Sequence, residues 1–160
     1  MNDTLEPTHS CFDDAIEFMD YAIRKNGLEN IDNDGFKLVH GICEKDGREF
    51  SHAWVEWDAG ENYVIFCGIV NGEKIYVGTR REDYYTQFGV KERTRYNGTE
   101  MLQMNLKHFH YGPWEKKYKL LCGKEGQNEI VARGGDLACF RIGPLPGKEH
   151  EQKSDSSAGA

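Results

Sequence analysis

The sequence predicts an α+β fold, and three observations carry that expectation. Residues 10–25 hold one strongly amphipathic helical pattern, four strand-like segments follow it directly, and the breaks between those segments are short and turn-like. A helix followed by hairpin-linked strands packs as a helix laid on an antiparallel sheet.

In the helix, Phe12, Ala15, Ile16, Met19, Ala22 and Ile23 recur at helical spacing and line one face. Ser10 and Asp13 make an approximate capping box at its start, and Asn26-Gly27 supplies the stop. The strands are expected at 36–43, 49–57, 62–70 and 73–78, broken at EKDG, DAGE and NG. Residues 80–88 read as one short helix and KERTRY as an extended piece. NGTEMLQMNLKHF is a second good helix, with Thr99 as N-cap and Met101, Leu102 and Leu106 on its buried side. Beyond Trp114, KYKLLCG, NEIVARG and LACFRIG read as three further short strands. Lysine, glutamate, serine and glycine crowd the end of the chain, so a single domain over 1–146 is expected with a disordered tail at 147–160.

Composition narrows the function classes. The 160 residues are 38% hydrophobic, 12% aromatic and 29% charged, the balance of a globular protein with a core of its own. No apolar run approaches the roughly 20 residues of a membrane span, and the acidic N-terminus lacks the pattern of a signal peptide. The expected location is the cytoplasm, without membrane attachment. A net charge of −7 argues against a protein that grips phosphate backbones, so nucleic acid is not an expected partner. Five widely spread cysteines with no C-x-x-C pair form neither a disulfide framework nor a zinc ribbon. No metal or other cofactor is expected, because His108 and His110, at i and i+2 on a helix end, do not share a face.

Position singles out one thiol. With Ser10 as N-cap, Cys11 falls in the first helical turn, where unpaired N–H groups and the helix dipole favour a thiolate. His52 follows on a strand, and thiol chemistry needs such a base to take the sulfur's proton and return it to the leaving group. Trp54 and Trp57 lie on opposite faces of that strand. His40, in LVHG, reads as a hydrogen-bonded member of the sheet.

The order SCFDDAIEFM, KLVHGI, REFSHAWVEW, YVIFCGIVNGE, REDYYTQFGV resembles a group of small papain-like, or transglutaminase-like, cysteine hydrolases of bacteria and phages. The resemblance covers about residues 10–97, and the LVHG…HAWVE pairing is its most specific part. It implies a papain-like α+β fold with Cys11 as nucleophile and His52 as base. Where the family pattern has an aspartate on the next strand, this chain has Cys67. No glutamine stands ahead of Cys11 for an oxyanion hole, so the helix N-terminal amides would serve, with a side chain from Asn2 or Ser10.

With DAGE as a four-residue hairpin loop, Trp57 pairs with Asn62 and Cys67 comes directly opposite His52, in the place of a third catalytic member. The expected function is thiol-mediated acyl transfer on an amide, peptide or isopeptide bond of a protein or peptide substrate. The missing aspartate favours the alternative, a papain-like scaffold without turnover that binds a protein, for example a phage or plasmid-encoded factor that sequesters a host protein.

Overall fold

The structure, a computed structural model, describes residues 11–71, 73–121 and 139–143. Helix α1 (Cys11–Asn26) and the short α2 (Leu28–Asn33) precede strands β1 (Phe36–Lys45), β2 (Arg48–Ala59), β3 (Glu61–Val70) and β4 (Glu73–Arg80). Helix α3 (Arg81–Phe88), strand β5 (Val90–Tyr96), helix α4 (Gly98–His108), the single turn α5 (Lys116–Lys119) and strand β6 (Cys139–Gly143) complete the order. The strands form one sheet in the order β5-β1-β2-β3-β4-β6, with every neighbouring pair antiparallel. The fold is therefore α+β, with the N-terminal helix packed on the sheet.

The first hairpin follows its turn residues. Asp46 and Gly47 both take positive φ, 51° and 76°, the mirror-image turn whose twist matches the flanking strands. The second does not follow the expected DAGE loop. Ala59 pairs with Glu61 around Gly60 (φ 82°), so Trp57 stands opposite Tyr63 rather than Asn62. Only glycine takes that conformation without strain, and it shortens the loop and moves the register by one residue.

Three local expectations are corrected, and others lie outside the described residues. Asn97, not Thr99, caps α4: its side chain accepts from the Glu100 N–H at 2.8 Å while Glu100 accepts from the Asn97 N–H at 2.9 Å. The Thr99 hydroxyl instead donates to Asp32 at 2.6 Å, and Asp32 also takes the Gly98 N–H, which ties α2 to α4. Leu106 is 75% exposed rather than buried. KYKLLCG opens inside α5, where buried Tyr118 anchors the turn and its carbonyl accepts from the Ser51 hydroxyl at 2.7 Å. LACFRIG does supply an edge strand, β6, whereas NEIVARG, the Ser10 cap, Asn2 and the tail from 147 lie outside the described residues.

Strand β2 is buried residue after residue from Phe50 to Glu56, because the sheet is covered on both faces. On one face Ala53 and Val55 join Phe12, Ile16 and Met19 of α1, Ile31 of α2, Met101 of α4 and Trp114. On the other, Phe50 and Trp54 join Val39, Val64, Phe66 and the α3 residues Tyr84 and Phe88. Trp54 and Trp57 do take opposite faces, Trp57 stacking on Phe36 at 5.3 Å.

The LVHG and HAWVE segments are partners in this sheet, with Val39 opposite Trp54, His40 opposite Ala53 and Gly41 opposite His52. Small residues face large ones. A Cβ on Gly41 would lie 2.4 Å from the Trp54 ring and 2.9 Å from the Glu92 carbonyl oxygen, so the glycine is the floor on which the indole rests. Gly41→Ala should therefore cost about 2 kcal/mol or more of overpacking strain, read as a lowered urea midpoint at neutral pH. An unchanged midpoint would contradict this packing.

Candidate functional site

Cys11 is the first residue of α1, and its side chain is buried against the sheet. It lines a cavity of about 20 Å³ together with Asp14, Ala15 and Phe18 of α1, His52 and Ala53 of β2, Cys67 of β3 and Tyr76 of β4. That space suits a single water. Its origin lies in the sheet. The β2–β3 ladder runs from Ala59–Glu61 only to Val55–Ile65, and beyond that pair the two strands part. A seam opens below the first turn of α1.

The seam matters because strand alternation sends Cys11 and His52 to different sides. Cys11 belongs to the cluster with Ala53 and Val55. The His52 ring lies among the α3-side aromatics, stacked on Phe88 (5.6 Å) and Tyr84 (6.3 Å) and beside Phe50 and Trp54. Both nevertheless border the one cavity. The Tyr84 hydroxyl is bonded to His52 Nε2 at 2.7 Å, and Nδ1 has no hydrogen-bond partner among the described residues. Burial first, then the nearness of Cys43 and Cys11, push the Tyr84 hydroxyl well above its ordinary range. The YY of REDYYTQF, two aromatics on a short polar helix, is the only sequence signal of Tyr84.

Cys67 borders the cavity but does not stand opposite His52. It pairs with Tyr76 on β4 and packs in the α1-side cluster, and the one-residue change at Gly60 aligns it with Ala53 if the β2–β3 register is carried on. Asp14, one turn along α1 from Cys11, is a buried carboxylate at the same cavity, and its carbonyl accepts from the Tyr76 hydroxyl at 3.0 Å. The i, i+3 spacing in CFDD foreshadows it.

The histidine on the α1 face is His40. It was expected to hydrogen-bond within the sheet, yet neither ring nitrogen has a partner among the described residues. Phe12, Tyr96, Trp114 and Tyr118 box the ring at centroid distances of 4.8 to 6.2 Å and leave it no acceptor. Burial, then the nearby His110, lower its pKa to about 3.

Glu56, the last residue of HAWVE, serves the scaffold. It is 1% exposed and accepts from the Trp54 indole N–H at 3.1 Å and from the Tyr85 hydroxyl, while Arg95 lies at 2.6 Å and Arg81 at 3.3 Å. Two arginines and a tyrosine fix α3 and β5 to β2 through one carboxylate. Trp54 separates it from His52, so it cannot orient the imidazole. Cys43, sealed between apolar neighbours, has its thiol pushed up to about 12 by burial and is chemically inert at neutral pH. The His108 and His110 rings stand 5.9 Å apart, and no group of three metal-binding side chains occurs among the described residues. Nor is any described helix long and apolar enough to cross a membrane.

No family model, no curated protein and no solved structure matches the chain.

Burial also lowers the His52 pKa, from 6.5 to about 4. Both buried imidazoles are neutral when folded and protonate more readily when unfolded. Their contribution to stability is whole above about pH 6.5 and is lost as pH falls toward about 4 for His52 and about 3 for His40. Each should add a slope of about 1.4 kcal/mol per pH unit in that window. His40→Leu, which removes a ring without hydrogen bonds, should leave stability at neutral pH nearly unchanged and flatten the acid slope by one proton. Urea unfolding across the window measures both, and a flat wild-type profile would contradict the buried neutral state.

Proposed function

We propose that the chain is a papain-like thiol acyltransferase or hydrolase that works on an amide, peptide or isopeptide bond of a protein substrate in the cytoplasm. The observation that carries this reading is that Cys11, the first residue of α1, and His52, whose Nε2 is hydrogen-bonded to Tyr84, line one cavity. In the proposed reaction the Cys11 proton passes to the His52 imidazole across the cavity that both line. The thiolate attacks the carbonyl, a thioester forms, and the amine leaves with the proton held on His52. Water or a second amine then releases the acyl group and restores the thiol. First-turn amides of α1 stabilise the developing oxyanion. Tyr84 takes the orienting place that Cys67 leaves empty, but a neutral phenol stabilises an imidazolium less than a carboxylate would. Slow turnover follows from that difference.

The uncharged surroundings of His52 favour a second reading, a scaffold of the same fold that binds a protein without turning it over. Acylation by 4-nitrophenyl acetate separates the two. The first reading expects an acetyl group on Cys11 by peptide mass mapping, abolished in Cys11→Ser and slowed about tenfold or more in Tyr84→Phe. Absence of acetylation, or its appearance elsewhere, would leave the binding scaffold.

A further inference from the structure

Two cysteines border the same cavity. Cys11 lines it from the first turn of α1 and Cys67 from β3, and both pack in the layer between α1 and the sheet. Both are thiols, Cys11 buried and Cys67 half-buried. Cys43 lies in the other layer, in the cluster with Val39, Phe50 and Trp54, and does not line the cavity.

Register and hydrogen bonding bring the two together independently of the cavity. Cys67 stands directly opposite Tyr76 on β4, so these side chains share a face of the sheet. The Tyr76 hydroxyl donates to the Asp14 carbonyl at 3.0 Å and its ring packs on Phe18 at 5.0 Å, which fixes Tyr76 beneath the part of α1 that starts one turn after Cys11. Ala53 of β2, a neighbour of the cavity in the same layer, adds only a methyl group. The cavity, at about 20 Å³, has room for one water, so no side chain fills the space that Cys11 and Cys67 both line. A disulfide needs Cα atoms within about 7 Å, and its closure would use up that space. Helix ends fray, so the first turn of α1 yields to such a movement more readily than a helix middle.

We propose that Cys11 and Cys67 form a reversible disulfide when the chain meets hydrogen peroxide, and that this bridge switches the Cys11 site off. The Cys11 sulfur attacks one peroxide oxygen: the O–O bond breaks, an S–O bond forms, the sulfur is oxidised by two electrons, and the other oxygen leaves as water with the thiol's proton. The Cys67 sulfur then attacks the sulfur of the Cys11 sulfenic acid. An S–S bond forms, the S–O bond breaks, and a second water departs with the Cys67 proton. Two molecules of a small thiol return both cysteines to the reduced form and are themselves joined as a disulfide. The order of attack, and what is switched off, rest on the thiol reading; the bridge itself needs only the two cysteines. Out of line with His52, Cys67 thus acts on Cys11 rather than on the imidazole.

The test treats the full chain with hydrogen peroxide at neutral pH, blocks the remaining thiols with iodoacetamide and maps peptides without reductant. The expected product is a monomer in which the peptides of Cys11 and Cys67 are linked and lighter together by two hydrogens. Acetylation of Cys11 by 4-nitrophenyl acetate should be lost in this product and return with dithiothreitol. In Cys67→Ser the sulfenic acid on Cys11 has no thiol to meet, so dimedone should capture it there, and longer treatment should carry Cys11 on to the sulfinic acid that dithiothreitol does not reverse. Oxidation of Cys11 without a link to Cys67, a link to Cys43, Cys122 or Cys139 in its place, a covalent dimer as the sole linked product, or equal dimedone capture in wild type and Cys67→Ser would each overturn the proposal. A bridge in a chain that never acetylates at Cys11 would sink the acyl-transfer reading and leave the bridge standing. Acetylation without a bridge would do the reverse.

Discussion

The pairing of β1 with β2 is the constraint on which the rest depends. Because Gly41 stands opposite His52 and His40 opposite Ala53, each face of the sheet receives one histidine and one small residue. On the α3 face the glycine leaves a floor for Trp54, and the indole and the His52 ring fill the layer under Tyr84 and Phe88. On the α1 face Ala53 leaves room for the first turn of α1, which sets Cys11 over the place where β2 and β3 part. A shift of one residue would exchange the two faces and bury Trp54 where Cys11 now sits.

The same arrangement sets the chemistry. An imidazole wedged between aromatic rings loses its hydration and gains no charge partner, so its neutral form is favoured. Neutral His52 can accept a proton but holds it weakly. The ionic strength of the fold is placed elsewhere, in the Glu56 cluster with Arg81 and Arg95, which secures the helix that carries Tyr84. Packing, rather than an ion pair, therefore holds the histidine in place, and Tyr84 is both the wedge and the hydrogen-bond partner.

Much of this was legible in the sequence. Helical spacing from Phe12 to Ile23 located α1, and the turn-bounded segment around AWV located β2 and the opposed tryptophans. The choice of Cys11 and His52 rested on a helix start and a strand histidine, and both residues reach one cavity. What could not be read was register. Gly60 shortens the second hairpin by a conformation that a four-residue DAGE loop does not require, and Cys67 moves out of line with His52 as a result. Tyr84 was hidden because α3 is too polar and short to reveal which face it buries. The silent hydrogen bonding of His40 was equally hidden, since its aromatic box is assembled from β5, α5 and the segment before it, far along the chain.

The central claim is that His52 acts on Cys11 through the seam although its ring lies on the other layer. The direct measurement is the rate of Cys11 alkylation by iodoacetamide as a function of pH, in the wild type and in His52→Gln, with sites assigned by peptide mass mapping. The account predicts a wild-type rate at neutral pH above that of an ordinary thiol, whose pKa is about 8.5, and its return to the ordinary profile in His52→Gln. Identical profiles for a folded variant and the wild type would contradict it.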